Sequence, residues 1–136
     1  MTKPKQAKGV VAVRTGVAID AKQQLPYFVG VSEKMTGAQS LSMQLVVIPP
    51  GGCAAPHIHQ GYETAIYVLQ GRVETTYGSG LQQTVTSEAG EFLYIAADVP
   101  HQARNLSDTE EAIGLVARND ANEQEHVIPY NPADDT

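Results

Sequence analysis

Short apolar runs, each stopped by glycine, proline or a polar turn, set the strongest limit on what this chain can become. Gly9–Arg14 is rich in β-branched residues, and Tyr27–Val31 follows Pro26. Leu41–Ile48 begins with alternation and ends at Pro49-Pro50-Gly51-Gly52. Thr64–Leu69 meets Gln70-Gly71, and Val73–Tyr77 ends at Gly78-Ser79-Gly80. Gln82–Thr86, Phe92–Ile95, Ala103–Leu106 and Ala112–Ala117 follow. The stops recur about every 8–12 residues, the spacing of a sandwich or barrel. No window of about 11 residues sustains a helical period. Ser107–Glu111 is the best helical candidate, and it is short. The pattern therefore predicts an all-β fold, a jelly roll or small barrel of about eight or nine strands.

A chain of 136 residues fits one domain. The expected layout is a basic arm over 1–8, a single β-barrel domain over 9–129 and a frayed tail over 130–136. Nine Lys+Arg against fifteen Asp+Glu give a net charge of −6. Phosphate binding needs a basic footprint, so nucleic acid is excluded as the main partner. No run of about 18 apolar residues is present, so no membrane span is expected. The basic start lacks a long apolar segment and makes a poor signal peptide. A lone cysteine, Cys53, excludes an internal disulfide framework and points to the cytoplasm.

Histidine is scarce: His57, His59, His101 and His126 are the whole set. On a strand, residues two apart face the same way, so His57 and His59 enter one space. His101 follows Pro100 at the start of another apolar run, and pairing the two segments would gather three imidazoles. Glu63 lies four residues after His59. Three imidazoles and a carboxylate suit a first-row transition metal. A His-x-His pair alone is a weak signal.

The wider spacing is more specific. Gly51, His57, His59 and Glu63, with Gly71 one residue late, are followed by Gly90, His101 and Asn105. This resembles the two motifs of the cupin superfamily, G-x5-H-x-H-x3,4-E-x6-G and G-x5-P-x-G-x2-H-x3-N. Ala96 and Asp98 stand where the second motif carries proline and glycine. Asp tolerates the left-handed region, so that turn can survive. The late Gly71 lets Thr64 compete with Glu63 for the acidic position. A carboxylate is the better ligand for a hard cation, which favours Glu63.

The resemblance covers about Leu41 to Val116. It implies a double-stranded β-helix, two facing sheets with His57, His59, Glu63 and His101 pointing inward. It also implies one divalent ion (Fe, Mn, Ni, Cu or Zn) with two coordination positions left open for water, substrate or dioxygen. A cupin that binds its ligand without metal is the alternative. Cupin thiol dioxygenases usually lack the motif glutamate, so Glu63 argues against that activity.

Other residues divide less sharply. Met43 and Gln44 lie on opposite faces of one strand, and either can line the cavity. Tyr67 and Tyr94 fall in apolar strands and are candidates for its wall. Arg118 ends the last apolar run and is a candidate clamp for a substrate carboxylate. Arg104 should face away from His101, being of opposite parity. Cys53 reads as a small buried side chain, and His126 as a surface residue.

The expected function is that of a metal-dependent enzyme acting on a small organic molecule, an oxidoreductase of dioxygenase type or an isomerase or lyase using Lewis-acid chemistry. The second reading is a small-molecule binding or sensing module, because a jelly roll does not imply catalysis. A sugar-phosphate isomerase or epimerase ranks below both, since it would need several cationic side chains around its phosphate. Two copies are expected to associate as a homodimer, with the apolar Val10–Val13 run as a shared edge.

Overall fold

A computed structural model describes residues 9–14, 16, 19–20, 25–122 and 126–135. The arm expected at 1–8 lies outside them. In chain order the elements are β1 (Ile19–Asp20), β2 (Pro26–Val31), α1 (Glu33–Thr36), β3 (Ser42–Ile48), β4 (His57–His59), β5 (Thr64–Gln70) and β6 (Arg72–Tyr77). There follow β7 (Gln83–Glu88), β8 (Phe92–Ile95), β9 (His101–Asn105), β10 (Ala112–Arg118) and β11 (Val127–Pro129).

Two antiparallel sheets face one another. One has the order β1-β2-β3-β10-β5-β8, the other β11-β4-β9-β6-β7. This is the expected all-β jelly roll, the double-stranded β-helix. Apart from β1-β2-β3 and β6-β7, neighbours in each sheet are distant in sequence, so both sheets are built by crossing between the layers. Alternation decides which side chains turn inward. From β3 these are Gln44, Val46 and Ile48, and from β10 Ala112, Gly114, Val116 and Arg118. Leu25, Ile48, Ala54 and Ala112 form the buried centre, with Val46, Val73 and Ala103 against it.

Two motif positions have structural work. Gly71 turns β5 into β6 at φ 89°, and a Cβ there would meet Ala112 at 3.0 Å. Only glycine meets both demands. Asn105 is buried, and its amide donates to the carbonyls of Ile48, Pro49 and Glu110 at 3.0, 3.2 and 2.7 Å. Its Oδ1 accepts from Ser107 N–H, so one side chain ties two loops to β9.

Three expectations are corrected. Gly9–Arg14 is not a strand: among the described residues it pairs with nothing in either sheet, and Val10 is 98% exposed. A β-branched run forms a strand only where a neighbour supplies the ladder. Ser107–Glu111 is a series of bends rather than a helix, while the short α1 lies elsewhere, capped by Ser32 and by Gly37 at φ 76°. Residues 130–135 do not fray. Tyr130 N–H donates to Pro56 O, its hydroxyl accepts from Gly80 N–H, and Pro132–Asp135 form a 3₁₀ turn. Among the described residues no helix is long and apolar enough to cross a membrane.

Candidate metal centre

The strand β4 sits between β11 and β9 and delivers two of the three buried imidazoles. His57 and His59 point inward from it, and His57 is in register with His101 of β9. The three ring centroids are 4.3 to 4.9 Å apart. One ring nitrogen from each lies within 4.8 Å of the others, a group able to hold a metal ion.

Each ring is held from behind. His57 donates from Nδ1 to the Ala55 carbonyl at 2.7 Å, and His101 from Nδ1 to the Val99 carbonyl at 2.9 Å. A carbonyl only accepts, so both rings carry their proton on Nδ1 and present a bare Nε2. His59 Nδ1 lies 2.7 Å from the hydroxyl of buried Tyr62. The Nε2 atoms of His57 and His59 face each other at 3.2 Å. Burial favours the neutral rings: it pushes His57 down to about 3 and His101 to about 4, and lowers His59 strongly. The Arg118 charge lowers all three further. Burial also pushes Tyr62 up to about 12. Neutral imidazoles with their second nitrogen tied to an outer partner are what a first-row ion requires.

Glu63 lies outside this group. It precedes β5, its N–H donates to Asn119 Oδ1 at 2.8 Å, and its carboxylate accepts from the Tyr94 hydroxyl at 2.6 Å on the exposed side. Thr64, the next residue, points inward and is 1% exposed. A shift of one residue along a strand exchanges faces. The signal is present in the spacing, since six residues separate Thr64 from Gly71. With Glu63 outside, the argument it offers against thiol dioxygenase chemistry lapses.

Asp98 takes φ 65°, the conformation expected of it at the second motif's glycine. Its N–H donates to His59 O and its Oδ1 accepts from Gly61 N–H, which fastens the turn before β9 to the end of β4 and the turn that follows it.

The histidines line a cavity of about 80 Å³ between the sheets. Its walls are mostly aliphatic: Val46, Ile48, Ile66, Val68, Leu93 and Val116 are among them. Arg118 lines it and is 6% exposed. Gln44 points inward and is buried, whereas Met43 is on the outer face. Tyr67 and Tyr94 are also on the outer face, where the Tyr67 and Phe92 rings meet at a tilt with centroids 4.8 Å apart. They follow outward parity: Tyr67 pairs with Phe92, and Tyr94 with Ala65. Cys53 is exposed, and Gln102 Nε2 lies 3.8 Å from its sulfur. Arg104 faces out and pairs with Glu74, as parity requires. His126 is at the surface beside Asp120. Sequence reasoning passes over Tyr62 and Thr75. The first is three residues from His59, at a position the first motif leaves unspecified, and the second shows only as an inward position of β6.

A double-stranded β-helix with three inward histidines defines a class, and comparison with known proteins agrees. The profile of the cupin domain matches residues 44–117, more than half of the chain, and the chain belongs to the cupin family. A curated relative, "Polyketide synthase CurC" of Streptomyces cyaneus, is 34% identical over 74 residues, which are 54% of this chain and 46% of that protein. The match thus spans about half of each. The fold resembles the oxalate decarboxylase of Lactobacillus farciminis, with TM-score 0.70 and 23% identity over 82% of this chain and 32% of that one. A Klebsiella pneumoniae protein with a double-stranded β-helix domain aligns over 89% of this chain and 91% of its own, with TM-score 0.63 and 17% identity.

Proposed function

We propose that this protein is a metal-dependent enzyme acting on a small organic molecule in the barrel cavity. The carrying observation is the convergence of three neutral, buried imidazoles, each braced at Nδ1, on the wall of a mostly apolar chamber. His57, His59 and His101 would hold one divalent first-row ion through Nε2. When bound, the ion supplies Lewis-acid polarisation or redox chemistry with dioxygen. The carbonyls of Ala55 and Val99 fix two tautomers. With its Nε2 kept for the ion, His59 donates from Nδ1 to the Tyr62 oxygen. The aliphatic walls exclude water, and Arg118 and Thr64 offer polar contacts beside the histidines. The oxalate decarboxylase neighbour and the polyketide synthase relative support a small, oxygen-bearing substrate.

Arg118 is the one cationic side chain among the described residues lining the cavity, which does not suit a sugar phosphate. Association of two copies belongs to the same reading. Its support is the exposed apolar outer face, with Met43, Leu69, Phe92 and Tyr94. A light-scattering mass near that of one chain would refute it.

The test is turnover. Protein loaded with Mn, Fe, Ni, Cu or Zn is offered phenols and β-diketones, and oxygen uptake and products are followed. Conversion that stops when the metal is stripped is the expected result. Tight ligand binding that ignores metal removal and yields no product would instead establish a binding module.

A further inference from the structure

Two threonines interrupt the aliphatic lining of the cavity. The inward row of β5 is Thr64, Ile66 and Val68, and that of β6 includes Val73 and Thr75. Valine would fill the same space, so what threonine adds at both places is a hydroxyl. Thr64 stands between Ile95 and Arg118 in one sheet, and Thr75 between Ala103 and Val85 in the other. Neither hydroxyl has a hydrogen-bond partner among the described residues, although the two residues are only 1% and 3% exposed. A buried hydroxyl left unpaired is costly, and nothing in the packing around these two offsets it. The offset must come from what occupies the cavity. Each hydroxyl can donate to a carbonyl oxygen or accept from another hydroxyl. The two come from opposite sheets, so one ligand meets both only with two polar atoms.

We propose that Thr64 and Thr75 select the ligand of this cavity, a small aliphatic compound with two oxygens, carbonyl or hydroxyl, one bonded to each threonine. Its carbon body lies against the aliphatic walls. Size follows from the cavity of about 80 Å³. At roughly 10–15 Å³ per water-sized group, it admits about five to eight such groups, two oxygens on a body of a few carbons. This rests on the reading of the cavity as a ligand site, and draws nothing from the ion.

4-Hydroxy-2-butanone and 2-pentanone share one chain and differ in a terminal hydroxyl against a methyl. Their affinities for the full, Zn-loaded chain are measured by NMR titration. Thr64→Val/Thr75→Val should lower the ratio of the first affinity to the second at least about fivefold, the scale of one hydrogen bond, with zinc content unchanged. Thr64→Ser/Thr75→Ser, which keeps both hydroxyls, should keep the ratio. Without ligand, the valine variant should melt no lower than wild type, because it removes two unpaired hydroxyls. An unchanged ratio in the valine variant overturns the inference, as does an equal fall in the serine variant. A melting temperature lowered by several degrees, or a failure to fold, overturns it too, since the hydroxyls would then be structural. If both ligands bind and the valine variant leaves the ratio unchanged, only the threonine assignment fails. If neither ligand binds wild type, with or without zinc, the ligand-site reading fails and the inference with it.

Discussion

Thr64, Ile66 and Val68 of β5 line the cavity, while Tyr67 of the same strand lies against Phe92 outside. The inner face collects the histidines, the hydroxyls and Arg118, all buried. The outer face holds Phe92, 81% exposed, and the Tyr94–Glu63 hydrogen bond. The same residue types, acids and aromatics, are thus kept from the chemistry by one step along a strand. What separates a ligand from a surface residue here is parity, not proximity in sequence.

That contrast can be broken in several ways. The largest effect is expected at the inner imidazoles. His101→Ala should weaken metal binding by more than about 100-fold, beyond the 10–100-fold typical of losing an outer partner. Equilibrium dialysis against zinc would read it, and affinity within a few-fold of wild type would remove His101 from the site. Stability should follow the same division. Ile48→Ala should cost about 2–5 kcal/mol, as core truncations do. In dilute, dissociated protein Phe92→Ala on the outer face should stay within about 0.5 kcal/mol. Urea melts of the dissociated chain giving equal losses would contradict that division.

A smaller change is expected at Tyr62. Tyr62→Phe removes the partner of His59 Nδ1 and should lower zinc affinity by about tenfold, with the fold intact by circular dichroism. An unchanged affinity would make that contact merely structural.

The most graded effect is pH dependence. Folding lowers the affinity of His57 and His101 for protons, from 6.5 to about 3 and about 4. The unfolded chain therefore binds more protons around and below pH 6.5, and stability decreases as the pH is lowered. Metal-free protein should have its full stability above about pH 6.5 and lose it progressively toward pH 4 and below. A flat thermal midpoint from pH 7 to 4 would contradict the burial of these rings.

Much of this is legible in the amino-acid sequence. Turn residues bound most of the strands, and the spacing of His57, His59 and His101 suffices to bring them together once β4 and β9 pair in register. What the sequence hides depends on neighbours distant in the chain. The Gly9–Arg14 run has the residues of a strand but no ladder partner among the described residues. Tyr94 faces out because β8 meets β5 with Ala65 opposite Tyr94, a register that no local pattern states. The helix α1, four residues long, is too short for periodicity and is set by its caps, Ser32 and Gly37. At the acidic motif position, chemical aptitude favours Glu63 and spacing favours Thr64, and the strand start at Thr64 decides for spacing.

The central claim is that the metal site is made by three histidines of the inner faces and excludes Glu63. Elemental analysis of wild type, His57→Ala and Glu63→Ala, each purified after growth with Mn, Fe, Ni, Cu and Zn supplied, tests it most directly. The account predicts that Glu63→Ala retains the wild-type metal content and that His57→Ala loses it. Loss of metal from Glu63→Ala, or a wild type that holds none, would contradict it.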